Sequence, residues 1–125
     1  MRTAIGVLFY NKPTLTKQCL TALAHAGLTD ERIYLVDNGS EKGVLTKLEN
    51  EAISLGLRNL TSIRIPDNRG FSAGMNTALK ASFDDNVCNA AVLLSNDVFV
   101  SPDFFSQLKK THLSPNEIHC PRVYH

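Results

Sequence analysis

The stretch Ile33-Tyr34-Leu35-Val36-Asp37-Asn38-Gly39-Ser40 decides the fold class, because its short apolar run ends abruptly in polar and turn-forming residues. The same change occurs at 66–76, Pro-Asp-Asn-Arg-Gly-Phe-Ser-Ala-Gly-Met-Asn, and at 92–98, Val-Leu-Leu-Ser-Asn-Asp-Val. Continuous apolar runs are typical of strands that are covered on both faces, as in parallel sheets. Ligands of open α/β sheets bind at the carboxyl ends of such strands. Three strand ends with hydrogen-bonding groups therefore predict one shared crevice.

The apolar runs begin about every thirty residues, which is the length of one βαβ unit. They span Thr3 to Phe9, Ile33 to Val36, Leu60 to Ile65 and Ala90 to Leu94, and we expect a fifth strand from Ile118 to Tyr124. Segments with helical spacing lie between the runs. The pattern predicts an α/β fold, a mostly parallel sheet with helices on both faces.

The helical segments carry their own start and stop signals. The first begins at Pro13 and stops at Gly27, since proline suits the first turn of a helix and glycine its end. An apolar stripe predicts a second helix over 44–55, and we expect a third over 72–81. Ser101-Pro102-Asp103 predicts the start of a fourth, with a capping hydroxyl and a proline at the first helical position.

Size and composition indicate one globular domain over residues 1–125. Hydrophobic residues make up 43% of the chain and charged residues 20%, which fits a soluble domain with a core. The net charge is +1 and no basic cluster stands out, so we expect no nucleic-acid partner. The chain stops at Val123-Tyr124-His125, in or just after the fifth expected strand, and we therefore expect a fragment of a longer polypeptide.

Cysteine usage and the amino-terminal segment indicate the compartment. The three cysteines follow neither a metal-binding nor a disulfide spacing, which favours reduced thiols in the cytosol. The apolar run from Ala4 to Tyr10 is far too short to span a bilayer, so we expect no transmembrane segment. These features predict a cytoplasmic protein, in solution or at the inner face of the membrane.

Asp37 offers a carboxylate just after the second strand. It can accept a hydrogen bond from a base N–H or a ribose hydroxyl, while Asn38-Gly39 forms a turn and Ser40 caps the next helix. The alternative is that Asp37 and Ser40 only organise the turn.

The loops after the third and fourth strands suit a diphosphate and a cation. Gly70 and Gly74 permit close backbone approach at a helix start, where anions bind, although their spacing is neither the dinucleotide nor the P-loop pattern. Ser95-Asn96-Asp97 supplies a carboxylate that suits Mg²⁺ or Mn²⁺ shared with substrate phosphates. The alternatives are structural glycines and a solvated Asx turn.

Taken in order, these motifs resemble those of the family 2 glycosyltransferases, which have the GT-A fold, and most of all the rhamnosyltransferase-like branch. The likeness consists of Tyr10-Asn11 after the first strand, Val36 to Ser40 for V-D-N-G-S, Asn68 to Asn76 for N-x-G-F-x-x-G-x-N, and Leu93 to Val98 for L-L-N-P-D-V. It runs over essentially the whole chain, and four ordered motifs make it specific.

The resemblance implies transfer of a sugar, with inversion, from a nucleotide-diphosphate sugar to a hydroxyl of a saccharide or lipid-linked acceptor, as in cell-surface polysaccharide biosynthesis. Asp37 would then contact the nucleobase, and Asp97 would hold Mg²⁺ or Mn²⁺ against the diphosphate. The full set of residues implied for the nucleotide sugar is Tyr10, Asn11, Asp37, Asn38, Asn68, Arg69, Gly70, Gly74, Asn76, Ser95 and Asn96.

The chain departs from the family at two points. Ser95 stands where the D-x-D motif has its first acid, and the family's general base and acceptor-binding segments lie beyond the position of residue 125, so no catalytic residue is assigned. A non-catalytic nucleotide-binding module or an inactive remnant is therefore the alternative. A flavodoxin-like or receiver-like domain ranks last, because it needs an acidic pair where Tyr10-Asn11-Lys12 stands.

Overall fold

Four apolar segments form one sheet in the computed structural model, which describes residues 2–84 and 86–122. The strands are β1 (Thr3–Phe9), β2 (Arg32–Asn38), β3 (Leu60–Ile65) and β4 (Ala90–Ser95). Their order across the sheet is β3-β2-β1-β4, and every neighbouring pair is parallel. The predicted parallel sheet is thus confirmed.

A helix follows each strand. The helices are α1 (Pro13–His25), α2 (Val44–Ser54), α3 (Phe71–Phe83) and α4 (Phe104–Lys109). Proline stands in the first turn of α1, as predicted. Within the described residues, no helix combines the length and the apolar character that crossing a bilayer requires.

The two faces of the sheet are covered by different helices. Ile5, Val7 and Phe9 of β1 point to one face, where they share a buried cluster with residues of α1, α2 and α4. Leu8 points to the other face, where it packs with Val36, Ile65 and Ala78 of α3. Strand side chains alternate between faces, so a strand buried on both must be apolar throughout, which explains the continuous run in β1.

The predicted start of the fourth helix was wrong, and the fifth predicted strand is not formed in the part of it that the structure describes. Helix α4 begins at Phe104 with Asp103 as N-cap, so Ser101 and Pro102 precede it; the Ser101 hydroxyl donates to the Asp103 carboxylate instead of capping the helix. Residues 118–122 form no strand, and the remainder of the fifth predicted strand, 123–124, lies outside the described residues.

Candidate functional site

The carboxyl ends of the four strands lie level along one edge of the sheet, which we call the rim. Phe9 pairs with Asp37 and Asp37 with Arg64, while Leu8 pairs with Ser95. This register brings all the predicted strand-end segments to the rim, namely residues 10–11, 37–40, 66–70 and 95–97. The predicted convergence is what the fold shows.

Asp37 lies at the centre of a hydrogen-bonded turn and has no exposed surface. Its Oδ1 accepts from the Ser40 backbone N–H at 2.8 Å, and its Oδ2 accepts from Arg64 Nη1 at 2.9 Å. Arg64 Nη2 also donates to the Ser40 carbonyl at 3.2 Å. A buried carboxylate needs such partners, because an unpaired charge is very costly to bury.

Ser40 joins this turn to the end of β1. Its hydroxyl accepts the Asn11 backbone N–H at 2.7 Å, and Asn11 Oδ1 accepts the Glu41 N–H at 2.8 Å. The prediction that Ser40 caps α2 was therefore wrong. The N-cap of α2 is Gly43, three residues later. Tyr10, whose side chain is half-exposed, stands beside this junction on the rim.

Asn38 joins the second strand end to the loop that follows β3. Its amide nitrogen donates to Asn68 Oδ1 at 3.2 Å and to the Gly70 carbonyl at 3.1 Å, and its Oδ1 accepts the Arg69 N–H at 3.2 Å. Asn68 Oδ1 in turn accepts the Gly70 N–H at 2.8 Å. One buried side chain thus fixes the loop that leads into α3.

Gly39 lets these two loops meet. Its φ is +83°, a conformation that L side chains rarely adopt, and a Cβ built there would lie 2.5 Å from the Asn68 nitrogen. The turn after β2 and the loop after β3 are therefore in direct backbone contact.

The amino-terminal end of α3 opens onto the rim. Its N-cap Gly70 has a φ of +88°, and the N–H groups at the start of a helix lack intrahelical partners and favour anions. Asn68, Arg69 and Asn76 are exposed near this end. Gly74 is instead buried, and a Cβ there would overlap Leu8, so its observed role is close packing of α3 on the sheet.

A side-chain hydrogen bond connects the residue after β4 to helix α1. The Asn96 N–H donates to the Leu8 carbonyl at 3.1 Å, and Asn96 Nδ2 donates to Thr16 Oγ1, also at 3.1 Å. Asp97 is exposed on the rim. The nearby Cys19 thiol is buried, and burial, followed by the Asp97 charge, raises its pKa to about 12.

Comparison with protein families identifies the chain. Residues 4–125 match the model of glycosyl transferase family 2. The chain belongs to this family. No curated protein matches the sequence.

Two solved structures, one of them a mannosyltransferase, share its fold. The mannosyltransferase PcManGT from Pyrobaculum calidifontis, in complex with GDP-Man and Mn²⁺, superposes with a TM-score of 0.76 at 20% identity, covering 91% of this chain. S. aureus TarS 1–349 in complex with UDP gives a TM-score of 0.70 at 20% identity, covering 88% of this chain. The chain spans only 33% and 31% of those two chains, respectively.

The family 2 resemblance implies a divalent cation at Asp97, at the β4 end of the rim; of the other rim carboxylates, Asp37 is buried against Arg64 and Asp67 pairs with Arg69 at 3.5 Å. Among residues 2–84 and 86–122, no group of three or more His, Cys, Asp or Glu side chains could hold a metal ion by itself. Mg²⁺ commonly takes only one or two protein carboxylates together with substrate phosphates and water. Asp97, exposed and beside the partly exposed Ser95, fits a cation of that shared kind.

Two polar residues that hold rim groups in place, Arg64 and Thr16, were not predicted from the sequence. Arg64 interrupts an otherwise uncharged strand, Leu-Thr-Ser-Ile-Arg-Ile, and that interruption was a usable signal. Thr16 lies inside the apolar spacing of α1 and gave none. A cavity of about 360 Å³ opens at the opposite edge of the sheet, between Asp30, Asn59 and Lys109, away from every predicted site residue.

Proposed function

We propose that this chain is the nucleotide-sugar-binding part of a glycosyltransferase, which transfers the sugar with inversion to an acceptor hydroxyl. The observation that carries the proposal is the rim itself: the polar ends of all four parallel strands stand level, next to the start of α3. Membership of glycosyl transferase family 2 supports the transfer chemistry.

The strand order gives the bound nucleotide a direction. Neighbouring strands lie about 4.8 Å apart, so the ends of β3 and β4 are separated by about 14 Å. Asp37 and Arg64 stand at the β2 and β3 end of the rim, and Asp97 stands past β4. An extended nucleoside diphosphate would place its base over the first pair and its phosphates toward Asp97 and the start of α3.

Different residues of the rim would bind the cation and the phosphates. Asp97 would hold the cation, with Ser95 and Asn96 beside it, and Mg²⁺ or Mn²⁺ would supply neutralisation of the departing diphosphate. Asn68, Arg69, Gly70 and Asn76 surround the start of α3, where backbone N–H groups favour the phosphates and sugar.

Four further residues would shape the nucleotide pocket. Tyr10 and Asn11 would line its base end, Asn38 would hold its wall in place, and Gly74 would set the position of α3. A longer enzyme would supply the general base and the residues that bind the saccharide or lipid-linked acceptor.

Calorimetry with UDP, dTDP and GDP tests the proposal, in Mn²⁺, in Mg²⁺ and with a chelator. We expect at least one of these nucleotides to bind, with an affinity about tenfold higher when the cation is present. Asp97→Asn should abolish that cation effect. Asp30→Asn is the matched control, because Asp30 is an exposed carboxylate paired with Arg58 at the opposite edge.

Two results would count against the proposal. Absence of binding by all three nucleotides with either cation would contradict it outright. Cation-dependent binding without sugar transfer by any longer chain that carries this domain would favour the alternative, a non-catalytic nucleotide-binding module.

A further inference from the structure

A buried threonine of α1 forms a hydrogen bond with the loop that follows β4. Asn96 Nδ2 donates to Thr16 Oγ1 at 3.1 Å, although the two residues are 80 positions apart in sequence. Thr16 has no exposed surface, and its hydroxyl donates to the Lys12 carbonyl at 3.1 Å. The hydroxyl thus has a donor and an acceptor partner inside the protein, which fixes its position on the helix.

The loop at the other end of this bond is a tight turn. The Val98 N–H donates to the Ser95 carbonyl at 3.0 Å, which closes a turn of four residues. Asn96 and Asp97 occupy its two central positions. Asn96 is held there twice, because its backbone N–H donates to a carbonyl of β1 and its side chain donates to Thr16.

The sequence of this turn differs from the family pattern at the position before Asp97. The pattern L-L-N-P-D-V, which the segment resembles, has proline where this chain has Asn96. Proline is favoured at the second position of such a turn because its ring fixes φ, although it has no N–H to donate. Asn96 lacks that ring and keeps its N–H, so hydrogen bonds to β1 and to α1 hold the turn in this chain.

We propose that Thr16 is a positioning residue for the divalent cation: through Asn96 it fixes the turn that presents Asp97. The inference rests on the proposed function and makes its cation site more specific. Ser95 stands where the D-x-D motif has its first acid, so Asp97 is the acid of that motif that this chain retains. A cation with one protein carboxylate depends on the placement of that group, because water and the phosphates of the nucleotide supply its other ligands.

Loss of the Thr16 hydroxyl should weaken cation binding without closing the nucleotide site. The Asn96 amide would lose its acceptor, and the turn would then adopt other arrangements as well. One net hydrogen bond corresponds to about a three- to tenfold change in the population of one arrangement. The gain in nucleotide affinity that the cation gives should therefore fall from about tenfold to about twofold.

Calorimetry compares the affinities for UDP, dTDP and GDP in Mn²⁺ with those in a chelator, at the lowest Mn²⁺ concentration that saturates the wild-type effect. Thr16→Val keeps the shape of the side chain but lacks the hydroxyl, and Thr16→Ser keeps the hydroxyl. Thr21→Val is the matched control, because the partly exposed Thr21 hydroxyl donates to a carbonyl one turn earlier in the same helix, at 2.8 Å. Thermal melting checks that each variant is folded.

In the wild type, Mn²⁺ should raise the affinity for at least one of the nucleotides about tenfold. In Thr16→Val this gain should fall to about twofold, while the affinity in the chelator stays at the wild-type value. Thr16→Ser and Thr21→Val should keep the full gain.

Asn96→Ala breaks the same bond from the surface and replaces Thr16→Val if that variant does not fold. The gain from Mn²⁺ should fall here too, and without any ligand the Val98 amide, which closes the turn, should exchange its hydrogen faster. The double variant Thr16→Val/Asn96→Ala should be no worse than either single variant, because all three remove one and the same bond.

The outcomes separate the inference from the function on which it rests. If no nucleotide binds the wild type, both are overturned. If nucleotides bind but Mn²⁺ raises the affinity equally in the wild type and in the variants that lack the bond, or has no effect on any of them, only the inference is overturned. An equal loss of affinity with and without Mn²⁺ would show that Thr16 is merely structural, and would likewise overturn the inference alone.

Discussion

Gly74 illustrates how one residue type can serve two purposes at the same place. The sequence places it in a loop–helix motif, where a glycine permits backbone approach to a nucleotide. In the structure the close neighbour is Leu8 of β1, whose side chain occupies the space that a Cβ would need. The glycine thus brings α3 close to the sheet, and the effect on the rim is indirect.

This packing predicts the sign of a stability change. In an exposed helix, Gly→Ala stabilises by about 0.5–1 kcal/mol. Gly74→Ala should instead destabilise the chain by about 1–3 kcal/mol, because the new methyl group must displace Leu8. Chemical denaturation measures the difference. Ser72→Ala is the control, since Ser72 is exposed on the same helix and should change stability little, and a stabilised Gly74→Ala variant would contradict the packing argument.

Asn38 connects two elements that are distant in sequence. Its three hydrogen bonds join the end of β2 to the loop before α3, and no other side-chain type of that size both donates and accepts in this way. Gly39 continues the contact through the backbone. Protein contacts alone therefore fix the turn after β2 and the loop after β3 to one another.

Removal of this connection should loosen the loop without unfolding the sheet. Asn38→Ala leaves the Arg69 N–H and the Gly70 carbonyl without their partner, which costs about 1–3 kcal/mol. Hydrogen exchange should show faster exchange at the Arg69 amide, while β1 amides keep their relative protection. Asn50→Ala, on the exposed side of α2, should leave exchange at Arg69 unchanged, and unchanged exchange in Asn38→Ala would refute the connection.

Elements whose evidence is local were predictable from sequence, and connections between loops were not. The continuous apolar runs predicted all four described strands, and parallel strands necessarily bring their carboxyl ends to one edge. The helix caps predicted at Ser40 and Ser101 were wrong because each hydroxyl forms a hydrogen bond with another group. Ser40 accepts from Asn11, which is 29 residues away, and Ser101 donates to Asp103. The Arg64–Asp37 pair depends on strand order, which no local pattern contains.

On the scale of the whole molecule, α1 connects the packing of the sheet to the cation end of the rim. Cys19 lies in the main buried cluster of α1, and the Asp97 charge adds to burial in disfavouring its thiolate. Thr16, one turn earlier, holds the Asn96 amide. The same face of α1 therefore packs the core and carries the β4 loop.

This arrangement predicts a loss of stability at alkaline pH. The pKa of Cys19 is raised to about 12 in the native chain from an ordinary value near 9, so the unfolded chain loses this proton first. The thiol's contribution is fully present below pH 9 and is lost as the pH rises toward 12. The free energy of unfolding should therefore fall above pH 9 by up to about 1.4 kcal/mol per pH unit from this group.

Denaturant titrations at pH 8, 9, 10 and 10.5 compare the wild type with Cys19→Ala. The variant is less stable at pH 8, because its side chain leaves a cavity in the core, but its stability should fall less steeply than that of the wild type above pH 9. Cys120→Ala, at an exposed thiol, should keep the wild-type slope. Parallel curves for the wild type and Cys19→Ala would contradict the prediction, because they would show that the thiol titrates alike in the folded and unfolded chains.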